Sequence, residues 1–296
     1  MRFACLIVTY TSPQQTKRLI DKLNNGSFDF YIHLDKKVDI NSHKELFDIP
    51  NVFFVKDRVD VKWAGFTIVK ATFNGIRQIM ASGIKYDFIN LMSGQDYPVK
   101  SAEYISEFLA ANAGKQLIKA WDFETEWAEA LLRVQKFHLT DTIFKGRYVV
   151  QSLLNKAVKK RKTPTGLRFY GTNSTFWTLT PECALYVTNY VEEKRSLRRF
   201  LKYTWGSDEF VFQTVIMNSP YKDSVVNNNY RYIDWSAGGS RPKTLLTEDY
   251  EKIIASDNIF GRKFSIEVDE NILDLIDRDN LTDKKNNIYL QDGVHN

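Results

Sequence analysis

A chain of 296 residues has room for one large α/β domain or two small ones. Its composition, 43% hydrophobic and 26% charged, is that of an ordinary soluble globular protein. The net charge of +5 suits an acidic ligand such as a nucleotide diphosphate, or an anionic membrane surface, and is too small to argue for nucleic acid.

The chain opens on Phe3–Thr9, a short apolar run followed by polar turn residues. It reads as a first β-strand rather than a signal peptide, and no run approaches the ~20 apolar residues of a membrane span. Further strands are predicted over 29–34, 52–55, 88–91 and 116–120, with helices over 13–24 and 67–81 from their apolar spacing. Strands alternating with helices predict a mostly parallel sheet covered on both faces, as a single α/β domain. Ligands of such sheets sit beyond the carboxyl ends of the strands. Two polar segments fall there: His33-Leu34-Asp35-Lys36-Lys37 and Ser93-Gly94-Gln95-Asp96.

Farther along, Lys156, Lys159, Lys160, Arg161 and Lys162 precede Thr163-Pro164-Thr165-Gly166. This stretch reads as an exposed helix end and loop, either a solvated face or a contact with anionic lipid or a lipid diphosphate. A β–α pattern resumes at 169–179 and continues into a helix over Pro181–Glu193. A second helix is expected over 208–217, with Ser207 as its N-cap. The last ~30 residues are expected to form a peripheral helix and a loose tail, which divides the chain into a domain over 1–264 and an appendage over 265–296. Cys5 and Cys183 read as small buried hydrophobes, and without a CxxC or a disulfide framework the chain is expected in a reducing compartment, the cytoplasm. Aromatic residues, 14% of the chain, serve either a large core or carbohydrate faces.

No P-loop or dinucleotide fingerprint is present, and the four histidines have no metal-ligand spacing. The one Asp-x-Asp tripeptide, Asp277-Arg278-Asp279, falls in the polar C-terminal region and reads as solvated surface. No metal and no other cofactor are expected. A departing diphosphate would then be balanced by fixed cations. Arg241 and the pair Arg262-Lys263, set among aromatics, could supply them, or could be incidental surface charge. Asp208 and Glu209 follow Trp205-Gly206-Ser207. A helix start accounts for Asp208, whereas Glu209, flanked by Trp205, Phe210 and Phe212, suggests a desolvated carboxylate tuned toward general-base work.

Seven segments, in chain order, resemble the core-2/I-branching β-1,6-N-acetylglucosaminyltransferases, a family that also contains peptide O-xylosyltransferases. They are Tyr31-Ile32-His33-Leu34-Asp35-Lys36-Lys37, Trp63-Ala64-Gly65-Phe66-Thr67, the segment from Tyr86 to Lys100, and Tyr170-Gly171-Thr172-Asn173-Ser174-Thr175-Phe176-Trp177. Ser207-Asp208-Glu209-Phe210, Arg231-Tyr232-Ile233-Asp234-Trp235 and Phe260-Gly261-Arg262-Lys263-Phe264 complete the set. The resemblance extends over about residues 3 to 264.

The resemblance implies a GT-A-type fold lacking the metal-binding Asp-x-Asp. It implies an inverting, metal-independent transfer from a UDP-sugar, UDP-GlcNAc foremost, to a glycan or lipid-linked glycan. Glu209 would deprotonate the acceptor hydroxyl. Lys263, with Arg262 and with Arg241 in preference to Arg231, would hold the diphosphate. His33, Asp35 and Asp96 would lie around the nucleotide or donor sugar, with Asp208, Trp235 and Trp63 beside the sugars. Three departures stand out. The animal members carry stem regions and many cysteines, whereas this chain begins at the first strand and has two, so a bacterial-type cytoplasmic enzyme is expected and a protein acceptor is not. Thr175 stands where xylosyltransferase-like members carry Asp, which leaves Glu209 as the base and weighs against a xylosyl identity. Gly261 replaces the usual Ala. A xylosyl or other UDP-sugar transferase and a non-catalytic binding module are the competing readings, and the joint presence of Glu209, Lys263 and Arg241 argues against the module.

Overall fold

The computed structural model describes residues 1–164 and 166–279. Its first elements are β1 (Phe3–Thr9), α1 (Pro13–Leu23), β2 (Phe28–Leu34), β3 (Val52–Phe54), α2 (Phe66–Met80) and β4 (Phe88–Ser93). They follow the alternation expected from the sequence. Pro13 opens α1, where its missing N–H costs nothing. The start of α2 is held from outside the helix: Asp141 accepts a hydrogen bond from the Phe66 backbone N–H at 3.1 Å. Next come β5 (Asp96–Pro98), α3 (Ala102–Ala111), β6 (Gln116–Leu117), β7 (Trp121–Asp122), α4 (Leu131–Gln135) and α5 (Arg147–Ala157). The chain continues through β8 (Tyr170–Gly171), β9 (Thr178–Leu179), α6 (Pro181–Glu193), α7 (Arg195–Lys202) and α8 (Val211–Met217). It closes with β10 (Val225–Val226), β11 (Arg231–Ile233), α9 (Tyr250–Ile254), β12 (Phe260–Arg262) and a helical stretch over 271–279.

The main sheet has the order β10-β6-β9-β4-β1-β2-β3. It is parallel except where β9 runs against both β4 and β6. β1 shows why its near-continuous apolar sequence suits a central strand. Ala4 and Leu6 enter one core with α2, α6 and α8, while Phe3, Cys5 and Ile7 enter the other with α1. Both faces are covered, and each such large side chain contributes roughly 1.5–3 kcal/mol by leaving water. A second, smaller sheet, β11-β12-β5, pairs Arg262 with Asp96 across its antiparallel edge.

Two expectations need correction here. The helix over 208–217 does not begin at a Ser207 cap. Residues Ser207–Glu209 form one 3-10 turn, and α8 starts only at Val211. The break is at Phe210, whose backbone (φ −144°, ψ −13°) leaves the helical region as its ring packs among Phe123 and Phe169. The C-terminal helix is also not peripheral over its described part. Ile272, Leu273 and Ile276 are fully buried in the second core. Asp277, expected to be solvated, accepts hydrogen bonds from Tyr97 and Arg18 and pairs with Lys22 at 2.9 Å. The remainder of the expected tail, 280–296, lies outside the described residues.

Candidate active site

The carboxyl ends of β1 and β4, neighbours in the parallel part of the sheet, open into a cleft of about 380 Å³. Thr9, Tyr10 and Thr11 line it from β1, and Ser93, Gly94 and Gln95 from β4. Gln15, buried in α1, stitches this floor to the end of β12. Its side-chain amide donates to the Gly94 carbonyl at 2.8 Å and to the Phe264 carbonyl at 3.0 Å. That stitch brings Arg262 and Lys263 to the cleft, where Arg241 joins them from the loop after β11.

The three cations are held in different ways. Arg262 lies over the Phe176 ring at 4.3 Å and ion-pairs with buried Asp96 at 3.7 Å. Arg241 lies over the half-exposed Trp63 at 5.7 Å. The Lys263 ammonium is held below its ordinary pKa by burial and by the neighbouring charges of Arg241 and Arg262. A cluster of like charges, kept together by backbone and aromatic contacts, is a preformed receptor for an anion.

Asp208 and Glu209 face the same cleft from the 3-10 turn. Asp208 is buried and accepts a hydrogen bond from the Thr175 hydroxyl at 2.6 Å, and burial raises its pKa. Glu209, 23% exposed, is raised to about 7 by burial and then by the adjacent Asp208 charge, against the opposing pull of Arg133. A carboxylate poised there can take a proton at neutral pH. Two glycines make room for this turn. A Cβ on Gly171 would stand 2.7 Å from the Cβ of Phe210 and 2.8 Å from the Glu209 carbonyl. Gly206 adopts φ +66°, and a Cβ there would meet the Arg133 guanidinium at 3.1 Å.

Arg133 itself was not singled out in the sequence. It donates to the Glu209 carboxylate while its guanidinium is held between the rings of Trp127 and Trp205, at 4.5 and 4.4 Å. The one local signal is a cation inside the apolar run Leu131-Leu132-Arg133-Val134. Its partners, far off in sequence, give that cation its meaning.

Of the expected site residues, the cleft gathers Glu209, Asp208, Lys263, Arg241, Arg262, Trp63 and Trp235. It does not gather His33, Asp35 or Asp96. His33 is fully buried, lowered to about 4 by that burial, and its Nε2 accepts the Val59 backbone N–H at 3.0 Å. Asp35 accepts the Lys37 backbone N–H at 2.9 Å and pairs with the Lys37 ammonium. Asp96 sits beneath the floor, accepting from Ser93 at 2.8 Å and facing Arg231 and Arg262. Arg231 is buried and donates to Asn90 and to the Leu91 carbonyl, so it does not reach the cleft as Arg241 does. Among the described residues, no three His, Cys, Asp or Glu side chains gather as ligands for an ion.

The model of the Core-2/I-branching enzyme family matches residues 3–254. The chain belongs to that family. Its match takes in the Asp208-Glu209 turn and Arg241 and stops short of Arg262 and Lys263. Among curated relatives, xylosyltransferase oxt of Drosophila pseudoobscura pseudoobscura is 24% identical over 284 residues, covering 88% of this chain and 31% of that protein. Xylosyltransferase 2 of Homo sapiens is 25% identical over 301 residues, covering 94% of this chain and 33% of that protein. This Core-2/I-branching member therefore spans about a third of the length of such relatives. Among solved structures, mouse xyloside xylosyltransferase 1 aligns at a TM-score of 0.40 and 11% identity, covering 88% of this chain and 96% of that one.

Proposed function

We propose that this cleft moves a sugar, GlcNAc foremost, from a UDP-sugar to a hydroxyl of a glycan or lipid-linked glycan, with inversion and without a metal ion. One observation carries the reading: a carboxylate raised to about 7 and three fixed cations line the same cleft at the strand ends. Glu209 takes the proton of the acceptor hydroxyl as its oxygen attacks the anomeric carbon. The bond from that carbon to the diphosphate oxygen breaks on the opposite face, and UDP leaves with the bonding pair. Lys263, Arg241 and Arg262 stabilise the negative charge that grows on the departing oxygens. Arg133 orients Glu209, and Trp63 and Trp235 offer apolar faces to sugar rings. The two cysteines, free and buried, fit a cytoplasmic setting.

A second reading, xylose as the transferred sugar, is favoured by the names of the relatives. Against it stands Thr175, which donates to Asp208 at the position where xylosyltransferase-like members carry Asp. The test is UDP release by purified protein from UDP-GlcNAc and from UDP-xylose, before and after EDTA. Faster turnover of UDP-GlcNAc, unchanged by EDTA, is expected. Preference for UDP-xylose would overturn the donor assignment. Abolition by EDTA with rescue by Mn²⁺ would overturn the metal-free chemistry. Binding of UDP with no turnover of any donor would make the protein a binding module.

A further inference from the structure

α5 is turned the wrong way for a surface helix of a globular protein. No residue of α5 is buried. Its polar residues face inward: Gln151 accepts the Leu139 backbone N–H at 2.9 Å, and Asn155 bonds both the N–H and the carbonyl of Phe137. Most of its apolar residues face solvent instead, with Leu154 half-buried. Tyr148 is 67%, Val149 63% and Leu153 61% exposed, and Ile143, just before the helix, is 72% exposed. Helical amphipathicity exists to bury the apolar stripe, so an inverted stripe leaves that burial to something other than the described residues.

The charge around the patch says what that is. Between Thr142 and Pro181 the sequence has no Asp or Glu. Lys145, Lys156, Lys159, Lys160 and Lys162 flank the apolar face and are exposed or half-exposed. Arg161, expected to be exposed with the rest of this run, is instead buried, donating to Tyr203 and Thr204 and lying over the Phe200 ring. It anchors the basic stretch to the domain. The structure also puts this face beside the proposed site. Ile143, Phe144 and Tyr148 rim a second depression that shares Trp63 and Trp205 with the active-site cleft.

We infer that α5 and the basic stretch after it form a docking surface for an anionic lipid bilayer, with Ile143, Tyr148, Val149 and Leu153 entering the headgroup boundary and the lysines meeting lipid phosphates. Apolar side chains ringed by lysines, on a helix too short and exposed to span, match an interfacial helix. No helix among the described residues is long and apolar enough to cross a membrane.

Co-sedimentation with phosphatidylglycerol-containing vesicles, against vesicles of phosphatidylcholine alone, tests this. The 296-residue protein should bind the anionic vesicles selectively, and added salt should weaken binding. Val149→Ser with Leu153→Ser should lower the partition coefficient at least tenfold. Each of Lys156→Gln, Lys159→Gln and Lys160→Gln should lower it about fivefold, a conversion of ~1 kcal/mol per basic residue. These positions are on the surface and outside the cleft, so UDP release in solution should stay at wild-type level and report that the variants fold. Equal binding to both vesicle types, no binding to either, or concentration-dependent dimers that Leu153→Ser dissolves would each overturn the inference. Docking does not rest on the transfer chemistry: Glu209→Gln protein should bind vesicles like wild type, so the two readings fail separately.

Discussion

The Asp208-Glu209 turn and the His33–Lys37 loop make an instructive pair. Both carry acidic groups, both belong to segments that resemble one family, and the second lies at the end of a parallel strand, where ligands are expected. In the loop most polar groups already have work: His33 Nε2 receives Val59, Asp35 holds Lys37, and Arg58 donates to the carbonyls of Leu34 and Asp35, while His33 Nδ1 is shut away from the cleft without a partner. At the turn, burial raises both carboxylates, Asp208 is met by one hydroxyl, and Glu209 is met by a single guanidinium facing open cleft. What separates the two segments is open space: the turn's carboxylates face the cleft, and the loop's polar groups do not.

Four substitutions can break or sharpen that contrast. Glu209→Gln removes the base but keeps the shape. It should lower kcat by roughly 10²–10⁴-fold with UDP affinity within about twofold, as seen by steady-state kinetics and calorimetry. Lys263→Met should lower kcat/KM about 10²-fold and weaken UDP binding, because it withdraws charge from the leaving diphosphate. Arg133→Met acts on pH. With Glu209 near 7, the base form is present above pH 7, and kcat/KM should fall below it. Removing the Arg133 cation withdraws a stabiliser of the ionised form, so the acid limb should move to higher pH; an unmoved limb would mean that Arg133 only packs. His33→Leu is the smallest for activity. It leaves the Val59 N–H without its acceptor, so stability should drop by about 1–3 kcal/mol while kcat stays within about twofold. A large loss of turnover in folded His33→Leu protein would return that loop to the site.

How far the sequence reveals this molecule depends on how local each cause is. β1 and β4 were legible because a buried parallel strand is written as an apolar run, and α6 because Thr180 and Pro181 cap it locally. The gathering of Glu209, Lys263, Arg241, Trp63 and Trp235 was legible only through motif order, since the cleft joins segments as far apart as Thr9 and Lys263. Arg133 was not legible: its role comes from Trp127, Trp205 and Glu209 converging on it in space. The start of α8 was misread because the Phe210 ring, drawn into an aromatic cluster, overrides a good capping sequence. The inverted face of α5 was also invisible, because its apolar spacing is the same whichever side meets the domain.

The central claim is that an acceptor oxygen, freed of its proton by Glu209, displaces the diphosphate in line from the opposite face. The anomeric configuration of the first-formed product, read from the one-bond C–H coupling and the proton doublet in NMR spectra, tests it most directly. An α-linked UDP-sugar should yield a β-linked product with wild-type protein. An α-linked product would contradict single-step displacement and remove Glu209 from its assigned role.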